Sequence, residues 1–241
     1  MKAQPWLLAA SEELDVGRVL NLDPGEARHA AGPLRRRVGD SVILVDGSGR
    51  LAEAVLRGVG SGKVEAEVLS VRVEPPPVGE GVTLALGVLG SQAMDWAVQK
   101  AVEVGVRHLL PMISERTQAA RRTAVDRSPH WNRIALQALK QCKRAWAMEV
   151  AEPLPLAEVI EICGEGGGGV VADREGVSVG RLAANVGRLL VVGPEGGFGS
   201  AEDRLLADLD WPRLRLGAHV LRAETAAVVG AALLVARDEG L

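Results

Sequence analysis

Two stretches hold the residues best able to do chemistry. The first is "VVGPEGGFGS", residues 191–200, where Val191 and Val192 run into Gly193, Pro194, the carboxylate of Glu195, Gly196 and Gly197. Glycines have no Cβ, so a ligand or another stretch of backbone can come very close. The second is "RLRLGAHVLRAETAA", residues 213–227. Here Leu216 and Gly217 end a strand, Val220 and Leu221 add apolar surface, and Arg222, Ala223, Glu224 and Thr225 open a helix. An arginine at a strand end, beside apolar and glycine-lined surface, suits an anionic or developing-negative substrate. An Arg–Glu pair can also be purely structural, and a tight glycine turn can hold no ligand at all. The spacing excludes two common phosphate cradles. A dinucleotide fingerprint would need glycine where Glu202 stands after Gly197 and Gly199, and no Gly-Lys-Ser/Thr follows as in a P-loop.

The elements that must position these stretches divide at "VEPPPVGEG", residues 73–81. Three consecutive prolines join neither a helix nor a central strand. Before them, "DSVILVDGSGRLAEAVLRGV" reads as two alternating strands joined at "DGSG", and "KVEAEVLSVRV" as another, with "GEARHAAGPLRRR" a short helix between strands. A small β-barrel or sandwich over residues 1–72 fits this pattern. After the prolines, strands alternate with helices. "VTLALGV" and "VRHLLPMI" are strands flanking "AMDWAVQKAVEVG", whose apolar residues fall at helical spacing up to a closing Gly105. "SPHWNRIALQALKQCKRAW" opens as a helix at Ser128 and Pro129, and "GVVAD", "RLLVVG" and "RLRLG" are further strands. "GEGGGG", residues 164–169, reads as a surface loop. The expectation for residues 73–241 is an α/β domain with a mainly parallel sheet, with ligands collecting at the carboxyl ends of its strands.

Composition removes several function classes. No apolar run reaches the roughly 18 residues that cross a bilayer, and the N-terminal apolar run is too short for a signal peptide, so the expectation is a cytoplasmic protein without a membrane partner. Cys142 and Cys163 form no CxxC pair and the four histidines are scattered, which argues against a disulfide framework and a metal site. The formal net charge of -3 does not advertise a nucleic-acid binder. Its distribution does more. Arg116, Arg121, Arg122, Arg127, Arg133, Lys140, Lys143 and Arg144 share their segment with Asp126 as the sole acid, so this stretch either follows a phosphate backbone or is a solvated helix face.

At "LLVVGPEGGFGSAE" together with "LRLGAHVLRAETAA" the chain resembles the SPOUT class of RNA methyltransferases, and within it the RsmE family, which methylates N(3) of a uridine in 16S ribosomal RNA. "VQKAVEVGVRHLLPMISERT" is similar to the same family's helix, strand and "SER" element, and "HAAGPLRRRVGDSVILVDGSG" to its PUA-like RNA-binding barrel. The sequence departs from the family at His219, where arginine is usual, at Ala223, where threonine is usual, at "KQCKRAW", and at "GSQAMDW", which lacks a basic residue.

The resemblance implies a SPOUT-type α/β domain with a C-terminal trefoil knot, a feature that physical reasoning alone would not propose. It implies a homodimer whose paired chains complete the site, and S-adenosylmethionine held by Val192, Gly193, Pro194, Glu195, Gly196, Gly197, Leu216, Gly217, Val220, Leu221, Ala223 and Thr225. Arg222 would stabilise the uracil anion or hold a flanking phosphate. Glu195 or Glu224 would accept the imide proton or hold Arg222 in place. Arg28, Arg35, Arg36 and Arg37 with Arg116, Arg121, Arg122, Lys140, Lys143 and Arg144 are the candidate RNA surfaces, on 16S ribosomal RNA or the small subunit. Two other readings stand beside this one: an RNA-binding or ribosome assembly factor without catalysis, and a SPOUT ribose 2'-O-methyltransferase.

Overall fold

A computed structural model describes residues 4–60, 62–77, 79, 81–117, 121–164, 168–182, 186–238 and 240, without the side chains at 121, 122 and 164. The side chains of Arg121 and Arg122, and residues 165–167 of the expected loop, therefore lie outside the described residues. The chain folds as two units: Met1–Pro77 with Leu139–Ala147, and Val78–Ala138 with Met148–Leu241.

The first unit is a five-stranded sheet in the order β1 (Trp6–Leu8), β3 (Ser41–Val45), β4 (Arg50–Gly60), β5 (Lys63–Val73), β2 (Val19–Asn21). β1 runs parallel to β3 and the other neighbours are antiparallel. The alternation seen in the sequence is the reason: Val64, Ala66 and Val68 of β5 are buried while the residues between them are not. They pack with Leu7, Leu44, Leu56 and the helix α1 (Pro24–Ala31), through its Ala27 and Ala30, into one core. Asp23 caps α1, its Oδ1 accepting from Gly25 N–H at 2.7 Å, with Pro24 in the first turn. The "DGSG" connection is tied by Asp46 Oδ1, which accepts from the N–H groups of Ser48 (2.7 Å) and Arg50 (3.0 Å). Burial pushes the Asp46 carboxyl up, but the hydrogen bonds it accepts, led by Ser48, outweigh this and leave it below the ordinary value.

The later segment 139–147 belongs to this unit. Trp146 donates Nε1–H to the carbonyls of Glu74 (3.2 Å) and Pro75 (3.0 Å), and its ring lies where a Cβ on Gly49 would fall 2.6 Å from Cζ2. Gly49 has φ +94, so the position needs glycine for its backbone as well as for the ring.

The second unit is a parallel seven-stranded sheet in the order β12 (Arg213–Arg215), β10 (Gly169–Ser178), β11 (Leu189–Val192), β6 (Thr83–Gly87), β7 (His108–Ile113), β8 (Glu149–Val150), with β9 (Leu154–Pro155) also on β7. All four residues of β11 are buried, as a strand covered on both faces requires. α2 (Ser91–Glu103) and α6 (Ala223–Asp238) pack together, α6 also against β11 and β6. Gly230 of α6 sits over Leu190 so closely that a Cβ would come within 2.7 Å of Leu190 Cδ2. Leu156 and Val159 of α4 (Leu156–Gly164) and Leu206 of α5 (Ser200–Ala207) form a core with Ala85, Val171, Leu189 and Val191. Each buried Leu or Val contributes about 1.5–3 kcal/mol. The helix expected to start at Ser128 instead spans Arg121–Cys142 as α3, with Pro129 inside it and Ser128 buried. Proline costs one intrahelical hydrogen bond there, the one that the carbonyl of Val125 would accept.

Candidate active site

The carboxyl ends of β10, β11 and β12 enclose a cavity of about 600 Å³. One wall is the 193–198 turn after β11, the opposite wall is β12 with the run after it to Leu221 and the start of α6, and Val171–Arg174 of β10 lies between them. Val192, Gly193, Pro194, Glu195, Gly197, Leu216, Gly217, Val220, Leu221, Arg222, Ala223 and Glu224 all line it, as the sequence suggests. Two expected residues do not. Gly196 turns away: Arg116 Nη1–H donates to its carbonyl at 3.0 Å, and a Cβ there would meet Arg116 Cβ at 3.2 Å. Thr225 lines a neighbouring groove instead.

The glycine turn is built as much for the protein's own packing as for a ligand. A Cβ on Gly87, at the end of β6, would fall 2.4 Å from Pro194 N. A Cβ on Gly193 would meet the Phe198 ring at 3.1 Å. Gly197 closes the turn, donating N–H to Pro194 O at 2.9 Å with φ +72. Beneath it lies a buried carboxylate that no periodicity announces. Glu202 accepts from Ser114 Oγ–H (2.6 Å), Gly199 N–H (2.8 Å) and Glu115 N–H (3.1 Å), binding the "SER" turn to the first turn of α5. A buried carboxylate with three donors is well satisfied and rigid. The signal available in the sequence is the acid at the third position of a helix after a glycine-rich entry.

The opposite wall is different. Gly217, Ala218, His219 and Val220 are exposed, Val220 by 79%. Among the described residues, their backbone groups accept and donate no hydrogen bond. A Cβ on Gly217 would touch nothing nearer than 3.9 Å. Arg222 is exposed and Glu224 half-buried, and among the described residues no ion pair joins Arg222 to either glutamate. Glu195 is occupied elsewhere: its Oε1 accepts from Gly90 N–H at 3.2 Å, at the entry to α2. The same entry is fixed by Asp95, which pairs with His130 Nε2 at 2.9 Å, and by Arg127, which donates to Ser91 Oγ.

Beside the cavity, the starts of α2 and α6 frame a groove of about 640 Å³ lined by Gly90 to Ala93, Trp96, Arg222, Glu224 and Thr225. Arg222 and Glu224 therefore face both spaces. Residues that sequence reasoning missed are Val171, Ala172, Asp173 and Arg174 on β10, and Phe198, Asp203, Arg213, Leu214, Arg215, His219, Ala93 and Ala226. Asp173 Oδ2 accepts from Arg213 Nη1–H at 2.6 Å and its Oδ1 from Glu175 N–H at 2.9 Å. Burial pushes its carboxyl up, but the Glu175 N–H and the Arg213 and Arg174 charges outweigh that and hold it below the ordinary value.

The expected RNA-facing cations separate into two groups. Arg28, Arg35 and Arg37 are exposed and Arg36 half-buried in the first unit, and Lys143 is exposed. Lys140 is not available: it is 7% exposed, with Nζ 2.5 Å from Glu26 Oε1, while Glu26 Oε2 accepts from Leu8 N–H at 3.1 Å. A lysine at the apolar positions of a helix must bury its charge with a partner. Arg116 is exposed and donates one of its N–H groups to the Gly196 carbonyl, and Arg144, half-buried, has a partner of its own. Among the described residues, no group of three or more His, Cys, Asp or Glu is arranged to hold a metal ion, and no helix is long and apolar enough to cross a membrane.

A parallel sheet with a cavity at its carboxyl ends, walled by two strand-to-helix turns and the strand between them, matches a known class. Residues 76–235 match the family model of the RNA methyltransferase domain. The chain belongs to the family of ribosomal RNA small subunit methyltransferase E. It is 35% identical over 224 residues to that enzyme from Mycobacterium bovis, covering 89% of this chain and 85% of the relative. It is 30% identical over 217 residues to that from Aquifex aeolicus, covering 88% and 92%. Two solved structures superpose with a TM-score of 0.88 at 26% identity, covering 97% of this chain and 98% of each: the enzyme from Neisseria gonorrhoeae bound to S-adenosyl methionine, and a methyltransferase from Legionella pneumophila with bound SAM.

Proposed function

We propose that this protein uses S-adenosylmethionine to methylate N(3) of a uridine in 16S ribosomal RNA of the small subunit. The observation that carries the reading is that Arg222 and Glu224 line both the cavity and the groove beside it. One space then takes the methyl donor, the other the acceptor base, and the two residues stand where they meet.

The residues present fit the donor. The cavity has the size of a small-molecule site, with an apolar lining of Val192, Leu214, Leu216, Val220 and Leu221. Open space lies beside Gly217, and the main chain of 217–220 has unengaged N–H and C=O groups for a purine and its sugar. When bound, S-adenosylmethionine supplies an electrophilic methyl group on a sulfonium and a neutral thioether as leaving group.

The chain's own task is to orient the base and manage its proton. Arg222, in no ion pair among the described residues, stabilises the imide anion. Glu224, half-buried in the first turn of α6, accepts the proton; Glu195 is the positioning residue that fixes the entry to α2. Trp96, 42% exposed on the groove, offers a ring for an unstacked base. β11 lies between β6 and β10, and the last helix returns onto β11 and β6, an arrangement that supports a trefoil knot in residues 73–241. The first unit acts as a PUA-like RNA-binding module through Arg28, Arg35, Arg36 and Arg37, and the protein works in the cytoplasm as a homodimer. Tritiated methyl transfer to unmodified small-subunit RNA, followed by nucleoside analysis, tests the reading. The expected product is N(3)-methyluridine; a ribose-methylated nucleoside, or no transfer, overturns it.

A further inference from the structure

β10 breaks its pairing at the cavity. It matches β12 at Val171↔Arg213 and Ala172↔Leu214, leaves the ladder, and rejoins at Val177↔Leu214 and Ser178↔Arg215. Asp173, Arg174, Glu175 and Gly176 form the excursion. Such irregularities re-aim a side chain and cluster beside active sites. This one is pinned at both ends. A Cβ on Gly176 would fall 2.4 Å from the carbonyl carbon of Arg213, so only glycine lets the strand return there. At the other end Asp173 is clamped by Arg213 and Glu175 N–H, with its side chain 22% exposed on the cavity wall.

Each Asp173 oxygen thus has one bond and keeps a lone pair free. What should meet it follows from the charges around it. Of the cavity-lining residues on these two strands, Arg174, Arg213 and Arg215 are cationic and Asp173 is the acid. Around the whole cavity the charges balance, Arg174, Arg213, Arg215 and Arg222 against Asp173, Glu195, Asp203 and Glu224, but Asp173 itself is engaged by Arg213 and Arg174. With Arg213 paired to it and Arg174 beside it, Asp173 is not a bare charge left for a ligand cation such as an α-ammonium. A neutral hydrogen-bond donor suits its free lone pairs, and a vicinal diol offers two O–H donors to one carboxylate. An acid at a strand end performs this task for ribose in dinucleotide-binding folds.

We propose that Asp173 accepts the hydrogen bonds of the ribose cis-diol of the bound nucleoside cofactor, with Arg213 as the residue that positions it. The assignment rests on the reading of the cavity as an S-adenosylmethionine site, and it concerns ribose recognition, not methyl transfer.

Calorimetry on the full chain tests it with three ligands: S-adenosylmethionine, 5'-methylthioadenosine, which lacks the amino-acid part, and the 2',3'-dideoxy form of the latter. Asp173→Ala is expected to weaken the first two alike, by about tenfold as for a lost hydrogen bond to a charged group. The dideoxy ligand binds wild type weakly, and Asp173→Ala leaves that affinity unchanged. Asp173→Asn, which keeps the shape and one acceptor oxygen, shows a smaller loss on the same two ligands when assayed below its melting temperature. Arg213→Ala also narrows the gap between the diol and dideoxy ligands, which general loosening of the fold would not do selectively. A loss confined to S-adenosylmethionine moves Asp173 to the ammonium and overturns the assignment. Equal loss on all three ligands, or none on any, overturns it too. Wild type that binds no S-adenosylmethionine removes the reading of the cavity itself.

Discussion

The two walls that hold Gly193 and Gly217 look alike in sequence and differ in build. In the 193–199 turn, missing Cβ atoms make room for the protein: Phe198 covers Gly193, Arg116 lies on Gly196, and Pro194 presses on Gly87. In the 217–220 run, nothing fills the space and the main chain is unpaired among the described residues. The first wall is finished before any ligand arrives; the second is left for a ligand to complete. The lesson is that a glycine-rich turn need not be bare for a ligand's sake. Preorganisation on one side lowers the ordering cost of binding, while an open side permits entry.

Substitutions should separate the walls. The largest effect is expected from Gly87→Ala, whose new Cβ has no room against Pro194. It should cost about 3 kcal/mol of folding stability, seen in denaturant titration, and abolish cofactor binding with it. A variant as stable as wild type would show the first wall to be soft. Next is Arg222→Ala, which should lower turnover on the order of 10²-fold while S-adenosylmethionine affinity and melting temperature stay near wild type. Affinity and turnover falling together would make Arg222 part of the cofactor's seat instead.

Glu202→Gln keeps the shape but cannot accept from all three donors. It should cost about 2 kcal/mol, read as a lower melting temperature, with turnover restored when the protein is assayed well below it. The smallest effect belongs to the open wall. Val220→Ser should leave the unliganded melting temperature unchanged, because Val220 is 79% exposed, yet weaken S-adenosylmethionine about fivefold by removing apolar cover. An unchanged affinity would mean that the wall stays open around the ligand.

The sequence read well where one rule governed a whole segment. The alternation in Lys63–Val73, the apolar run at Leu189–Val192 and the helical spacing in Ser91–Glu103 each appear as one element. Gly105 stands just past the helix with φ +101, as a helix-ending glycine should. What stayed hidden depends on long-range pairing. The four-residue excursion from Asp173 is set by the partner strand, and its residues carry no period of their own. Glu202 is polar by composition and buried only because Ser114 and Glu115 come to it. Lys140 reads as a surface cation until Glu26, from the first helix, lies against it. Trp6–Leu8 and Val19–Asn21 are too short for a pattern to emerge.

The central claim is that the closed turn 193–197 and the open run 216–221 hold the methyl donor between them. A crystal structure of the protein with S-adenosylmethionine tests this most directly. The account predicts the adenosine between Gly193 and Leu221, its sulfonium end toward Arg222, and the 217–220 main chain hydrogen-bonded to it. The donor bound elsewhere, or that run left unpaired beside an empty cavity, would contradict it.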